Sequence, residues 1–135
     1  MKRLCALLML SLIVCISGIA TADIPVLLGN WTGSYAEYKA GQGFTDKEGG
    51  FFFLNITEQK DRIFAGYSTY TKSDGTLVSR NMAGAISADG TEISFVEENT
   101  GYSHGNIIGP NEFEVIFMTD TKPVTVAVDR FIRIS

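Results

Sequence analysis

The sequence predicts an all-β protein, an eight-stranded antiparallel up-and-down barrel. Short apolar or alternating segments recur at spacings of about 8–12 residues between turn signals, as is typical of all-β folds. No segment keeps a 3.6-residue apolar period over three turns, which argues against long helices. Gly29–Gly33 and Asp129–Arg133 lie in the first and last of these segments. Pairing between those two strands would close the sheet and remove its exposed edges.

Residues 1–22 are predicted to be a cleaved signal peptide. A basic start, Lys2-Arg3, precedes an almost continuously apolar run, and Ala20-Thr21-Ala22 has the small residues that signal peptidase accepts. A membrane anchor is the alternative, but the run is short for a span and no basic cluster follows it. We therefore expect a secreted or periplasmic protein with no stable membrane span after cleavage.

The cysteines and charges exclude several classes of function. Cys5 and Cys15 both lie within the predicted signal, so residues 23–135 have no thiol for catalysis or metal binding. Val14 stands where a lipobox requires a small residue, so lipid anchoring through Cys15 is not expected. Without Lys2 and Arg3, 9 of the 11 basic residues remain against 15 acidic ones, a net charge of −6. We therefore expect no nucleic-acid partner.

Residues 23–135 are predicted to form one barrel domain. Turn chemistry separates the strands: Asp74-Gly75 and Asp89-Gly90 favour tight hairpins, and Gly109-Pro110-Asn111 breaks pairing. The predicted strands are 27–38, 49–58, 62–72, 80–88, 91–98, 101–108, 111–119 and 123–134. The segment 39–50 is glycine-rich and is predicted as a loop, either a lid over the barrel mouth carrying Phe44 or a flexible connection.

Alternation assigns the faces of the strands. Phe113, Val115 and Phe117 share one face, which we assign to the interior, and glycines on inward faces would let the sheet bend. The inward glycines are expected to be Gly33, Gly66, Gly84 and Gly105. The opposite face of the last two strands forms a predicted outer apolar patch, which favours a homo-oligomer. Its members are Ile116, Met118, Val124, Val126 and Val128. The alternative is an inverted assignment, with residues 124–128 inward and Asp129 exposed.

The two ends of this chain resemble the avidin/streptavidin family within the wider calycin group, which also includes the lipocalins. Gly29-Asn30-Trp31 is similar to the Gly-x-Trp of the family's first strand, and Asp129-x-Phe131-x-Arg133 is similar to its closing pattern. Phe64-Ala65-Gly66 and Met82-Ala83-Gly84 resemble its third and fourth strand starts. The resemblance implies the barrel, closed by Trp31 beneath the guanidinium of Arg133.

The resemblance does not imply biotin binding. The family lines its biotin site with several tryptophans, whereas Trp31 is the single tryptophan here. Gly33 and Ser68 stand where the family has polar residues that cradle the ligand, and Asp129 alone matches its ligand-contacting acid. The expected ligand is therefore an unidentified small molecule.

The candidate ligand-binding residues are Asp129, Tyr70, Ser68, Tyr35 and Phe44. An inward Asp129 needs a donor, either Arg133 or Arg80 in an internal ion pair, or a ligand. Catalytic residues, a metal site and a cofactor are not predicted. His104 is expected on the surface, although pairing with Glu97 in an enzyme is the alternative.

Three functions follow, in order of preference. The first is a non-enzymatic exported binding protein with a small-molecule ligand in the barrel. The second is a protein-binding module, such as a secreted protease inhibitor or an envelope interaction domain, that presents residues 23–26 as an extended arm. The third is an enzyme built around His104.

Overall fold

The computed structural model describes residues 23–72 and 74–135, and these form a closed barrel of eight antiparallel strands. Each strand pairs with its successor, and the last pairs with the first. The all-β up-and-down prediction is therefore confirmed. The strands are β1 Gly29–Lys39, β2 Gly43–Lys60, β3 Ile63–Thr71, β4 Leu77–Ile86, β5 Glu92–Glu97, β6 Gly101–Gly109, β7 Glu112–Thr119 and β8 Thr125–Arg133. The predicted signal peptide lies outside the described residues.

The loop predicted over residues 39–50 is wrong for most of its length. β2 begins at Gly43, and Tyr38 pairs with Phe44 in a hairpin that turns at residues 40–42. The register of β1 with β2 shifts between Gly33 and Tyr35, where extra residues of β2 bulge out. The glycines that suggested a loop therefore serve a tight turn and a bulge, where positive φ angles are needed.

One end of the barrel is closed by Trp31 and Arg133, as predicted. Trp31 is fully buried, and the Arg133 guanidinium carbon lies 4.3 Å from its ring centroid. The guanidinium also donates to the carbonyl oxygens of Val26 and Pro110, at 2.7 and 3.0 Å, and to that of Leu28. These charge-assisted bonds tie the end of β8 to the segment before β1 and to the β6–β7 turn.

Residues 24–28 pack across this closed end and do not begin the first strand. Leu27 is 1% exposed, and its carbonyl oxygen accepts the Trp31 indole N–H at 3.0 Å. Gln59 binds the segment on both sides, accepting from the Leu27 N–H at 2.7 Å and donating to the Pro25 carbonyl at 2.9 Å. Ile24 packs against the core and the Pro25 carbonyl is bonded, although Val26 is 63% exposed, so the segment 23–26 predicted as a free arm is held at the closed end.

Aromatic side chains fill the closed half of the barrel. Phe113 packs on Trp31 with ring centroids 4.8 Å apart and on Phe131 at 4.9 Å. Phe52 meets the edge of Phe131 at 5.4 Å. Aliphatic residues from β2, β4 and β5 complete this half, which leaves no lumen there.

Two of the inward glycines are required by close approach. A Cβ on Gly105 would overlap the backbone carbonyl of Glu114 on the neighbouring strand, and one on Gly84 would meet the Phe64 ring. Both glycines therefore let the wall bend inward, as the alternation predicted.

The outer patch also has the predicted orientation. Ile116, Met118, Val126 and Val128 are between 37% and 48% exposed, while Ala127 between the last two is buried. Cross-strand pairing extends the patch into an outer row over five consecutive strands, which consists of Val96, Tyr102, Met118, Val126 and Tyr38. Val124 is exposed just before β8.

Candidate functional site

The end of the barrel opposite Trp31 holds an open cavity of about 370 Å³. The inward positions of β8 carry the small side chains of Thr125 and Ala127 at this end, where the closed half has Phe131. An eight-stranded barrel is filled only when its inward side chains are large, so this half stays hollow. The lining comprises Tyr35, Glu37, Lys39, Phe52, Tyr70, Thr71, Arg80, Glu97, Asn99, Thr100, Phe117, Thr119, Thr121, Pro123, Thr125, Ala127 and Asp129.

Asp129 lies at the floor of this cavity. Alternation along β8 puts it one inward position above Phe131, and its side chain is 6% exposed. Among the described residues it has neither a hydrogen-bond donor nor an ion-pair partner. Burial, with the nearby carboxylates Glu97 and Glu37 adding to the effect, raises the pKa of Asp129 from 3.8 to about 7. The ion pair with Arg80 or Arg133 that the sequence left open does not form.

Glu97 is the second buried acid at the floor. It follows Ile93 and Phe95 on the inward face of β5 and is 6% exposed. Burial raises its pKa, whereas the Ser68 hydroxyl, which donates to the carboxylate at 3.1 Å, and the charge of Arg80 oppose that rise. The ionised form of Glu97 is thus stabilised by a hydrogen-bond donor and a nearby cation, whereas that of Asp129 is not.

Arg80 is held against the wall by other contacts. Its guanidinium donates to the Glu98 carbonyl at 2.9 Å and to the Tyr70 hydroxyl at 3.3 Å, and its Nε is buried without a partner. β4 stands opposite β8 in the eight-strand order, so Arg80 and Asp129 lie on facing walls. The arginine therefore orders the β5–β6 turn and leaves Asp129 unpaired.

Near the mouth, β1 contributes Tyr35, Glu37 and Lys39. Lys39 pairs with Glu37 at 2.8 Å. Burial raises the pKa of Tyr35, and the charges of Glu37 and Asp129 raise it further, so the phenol remains a neutral donor. Five threonines on the strand ends and loops complete a polar rim.

The structure brings together three of the five predicted ligand-binding residues. Asp129, Tyr35 and Tyr70 line the cavity, whereas Ser68 lies beneath it, bonded to Glu97. Phe44 is 87% exposed on the outside of the β1–β2 hairpin, where it packs on Tyr38 at 5.0 Å. We therefore do not retain Phe44 as a lid or as a ligand contact.

Sequence reasoning missed Glu97 as a site residue, although the signal was present. Glu92–Glu97 alternates apolar and polar residues, and the pattern places Glu97 on the same face as Ile93 and Phe95. The sequence predicts for Glu97 only the alternative role of a partner for His104. That pairing is wrong, because His104 faces outward and its Nδ1 lies 2.8 Å from the Ser94 hydroxyl.

Within residues 23–72 and 74–135, no group of three or more potential ligands could hold a metal ion. In the same described part of the chain, no helix is long and apolar enough to cross a membrane.

Comparison with solved structures shows the fold alone. A redesigned β-barrel matches with a TM-score of 0.62 at 11% identity, covering 81% of this chain and 92% of that one. A second redesigned barrel, solved bound to DFHBI, matches with a TM-score of 0.55 at 12% identity, covering 79% and 98%. Lobster apocrustacyanin A1 is more distant, with a TM-score of 0.48, 18% identity, and coverage of 80% and 60%.

No protein-family model and no curated protein matches the sequence. The fold and the cavity define a class of protein: an eight-stranded barrel whose lumen is closed at one end and open at the other. The resemblance to the avidin family remains a prediction.

Proposed function

We propose that this protein is an exported, non-enzymatic barrel that binds a small molecule in its open lumen. The observation that carries the proposal is the cavity of about 370 Å³ whose floor holds the unpaired, buried carboxyl of Asp129. Small-molecule sites typically have volumes of about 300–1,000 Å³, with apolar walls and a few fixed polar groups. Phe52 and Phe117 supply the apolar walls here, and Tyr35 and Tyr70 supply hydroxyls.

Two further observations favour a small-molecule-binding protein over an enzyme and over a module that binds another protein through residues 23–26. His104 faces solvent on the other side of the wall from Glu97, so the acid–base pair that an enzyme would need is not assembled. Residues 24–28 close the far end and bond to Gln59 and Trp31, so a free inhibitory arm is not available. A similar barrel is solved with DFHBI bound, which agrees with a ligand in the lumen.

A lumen-filling variant tests the proposal. Native mass spectrometry of protein purified from its own host should show a co-purifying small molecule. Ala127→Phe should abolish that binding, because Ala127 points into the cavity and is 5% exposed. Ile132→Phe is the matched control, since Ile132 faces outward on the same strand, is 42% exposed and lies outside the outer patch. Repeated absence of a ligand from the wild type, or retention of the ligand by Ala127→Phe, would overturn the proposal.

Export rests on the residues that precede the barrel. The proposed signal peptide, residues 1–22, should be missing from the mature protein, whose chain would begin at Asp23. Mass spectrometry of the protein from the medium or periplasm measures this directly. A chain that keeps residues 1–22 and stays with the membrane would refute the export proposal.

The outer row supports self-association with a second copy. Its five side chains are 37–57% exposed and contiguous across β5, β6, β7, β8 and β1. Exposed apolar surface of this kind commonly marks an interface. Sedimentation velocity should show a dimer or tetramer that Val126→Glu dissociates, while Leu77→Glu, on exposed Leu77 of β4, leaves it intact. A wild-type monomer at about 100 µM, well above typical interface affinities, would refute this.

A further inference from the structure

Of the three acidic side chains that face the lumen, two have a partner and one has none among the described residues. Five ionisable side chains other than tyrosine line it: Glu37 and Lys39 from β1, Arg80 from β4, Glu97 from β5 and Asp129 from β8. Glu37 has Lys39 at 2.8 Å, and Glu97 has the Ser68 hydroxyl at 3.1 Å and the field of Arg80. Among these acids, Asp129 alone has no partner in the described part of the chain, although it is as buried as Glu97.

Among the described residues, the cations that line or close the lumen have other partners, and for Lys39 the partner is Glu37 at 2.8 Å. Arg80 donates to the Glu98 carbonyl and the Tyr70 hydroxyl on the opposite wall. Arg133 is committed to Trp31 and to backbone carbonyls at the closed end, below the Phe131 layer. The neighbours that act on the Asp129 carboxyl through charge are Glu97 and Glu37, both negative. The Asp129 carboxyl therefore has negative neighbours and no cation as a counter-ion among the described residues.

The walls above this carboxyl are apolar and aromatic. Phe52, Phe117 and Ala127 line the same space, together with Tyr35 and Tyr70. Such walls favour an apolar body, and aromatic faces also attract a cation. A ligand that carries a positive charge at one end and an apolar group at the other would match both features.

We infer that the ligand of this barrel is a small amine cation with an apolar or aromatic body, and that Asp129 is its counter-ion. This inference rests on the proposed binding function and narrows it to a chemical class. The ammonium N–H groups donate to the Asp129 carboxylate at the floor, and the body lies between Phe52 and Phe117. Binding supplies the donor that the buried carboxylate lacks, so the two charges stabilise each other.

Matched probes test the charge requirement directly. Phenethylamine, phenethyl alcohol and hydrocinnamate have similar bodies and differ in charge, being cationic, neutral and anionic. Binding of each to the purified protein is measured by calorimetry, and its location by amide chemical shifts of the lumen strands. At about pH 8 the amine should bind at least tenfold more tightly than the alcohol or the acid. The reason is that, of the three probes, only the ammonium group can form an ion pair with the Asp129 carboxylate.

A change of pH and two substitutions separate the effect of the charge of Asp129 on binding from the effect of its shape. Lowering the pH from about 8 to about 5 should weaken amine binding by about tenfold or more, because Asp129 takes up a proton, and should leave alcohol binding nearly unchanged. Asp129→Asn keeps the shape of the side chain and should reduce the amine's affinity to that of the alcohol. Asp120→Asn, on an exposed residue outside the lumen, is the control and should bind like the wild type.

Failure of this inference is distinguishable from failure of the binding function. If the alcohol or the acid binds in the lumen as tightly as the amine, the amine class is wrong and lumen binding stands. If Asp129→Asn keeps the preference for the amine, Asp129 is not the counter-ion and the inference is overturned. If none of the three probes shifts a lumen resonance, the amine class is refuted, and the binding function is decided separately by native mass spectrometry of the wild type and of Ala127→Phe.

Discussion

Replacing Asp129 by asparagine should stabilise the barrel at neutral and alkaline pH. Asn has nearly the same shape but carries no charge, so it removes the cost of holding an ionised carboxyl in a buried site without a donor. The carboxyl is 6% exposed, and its pKa is raised from 3.8 to about 7 by burial and by Glu97 and Glu37. The wild type therefore bears a cost of ionisation that the variant does not.

The magnitude follows from the displacement of the pKa. One pKa unit corresponds to about 1.4 kcal/mol, and the displacement is about three units, so the cost is about 4 kcal/mol. Because the folded-state pKa is above the unfolded value, the favourable contribution of the protonated acid is fully present below pH 3.8 and is lost as the pH rises to about 7. Asp129→Asn should therefore match the wild type near pH 4 and exceed it by a few kcal/mol at pH 8.

Urea denaturation at several pH values, followed by the fluorescence of buried Trp31, measures the free energy of unfolding of both proteins. For a domain of this size the gain at pH 8 corresponds to a rise in Tm of about 10 °C or more. Asp120→Asn, on an exposed acid, should show no such difference between pH 4 and pH 8. The reasoning is refuted if Asp129→Asn is less stable than the wild type at pH 8, because that would mean the carboxylate has a favourable donor.

Three further substitutions test the closed half. Arg133→Ala should lower the free energy of unfolding by about 2–4 kcal/mol in urea denaturation, because it removes the contact with Trp31 and several carbonyl bonds; an unchanged midpoint would contradict this. Leu27→Ala should cost about 2–5 kcal/mol by the same assay, and a loss below about 1 kcal/mol would show that residues 24–28 are not core. Gly105→Ala should abolish the cooperative transition, whereas Gly109→Ala, where a Cβ meets nothing within 4 Å, should fold; equal behaviour of the two variants would exclude the proposed close approach.

Strand order and face were predictable because they depend on local patterns. Alternation along 112–119 and 125–133 placed Phe113, Val115 and Asp129 inside and Ile116 outside without reference to any other strand. The Trp31–Arg133 contact was predictable from the family resemblance at the two ends of the barrel.

Other features depend on the whole barrel and were not predictable. Residues 43–47 pair with β1 because β1 continues to Lys39 and supplies a ladder, which outweighs the turn tendency of the glycines around them. Whether the lumen is hollow depends on the summed volume of inward side chains from eight strands, which no single segment reveals. The absence of a partner for Asp129 depends on where Arg80 finds acceptors, and these lie in the β5–β6 turn.

The seam between β1 and β8 makes the chain's single tryptophan an optical reporter of barrel closure. All other strand pairings join neighbours in sequence, but Trp31 pairs with Arg133 from the opposite end of the chain. Pairings between distant segments carry the largest loop-closure entropy, so this one is expected to form late in folding. In stopped-flow refolding, the hairpins can form before the indole is covered. The fluorescence of Trp31 should therefore follow a slower phase than far-ultraviolet circular dichroism, which would time the last step of assembly separately from the first.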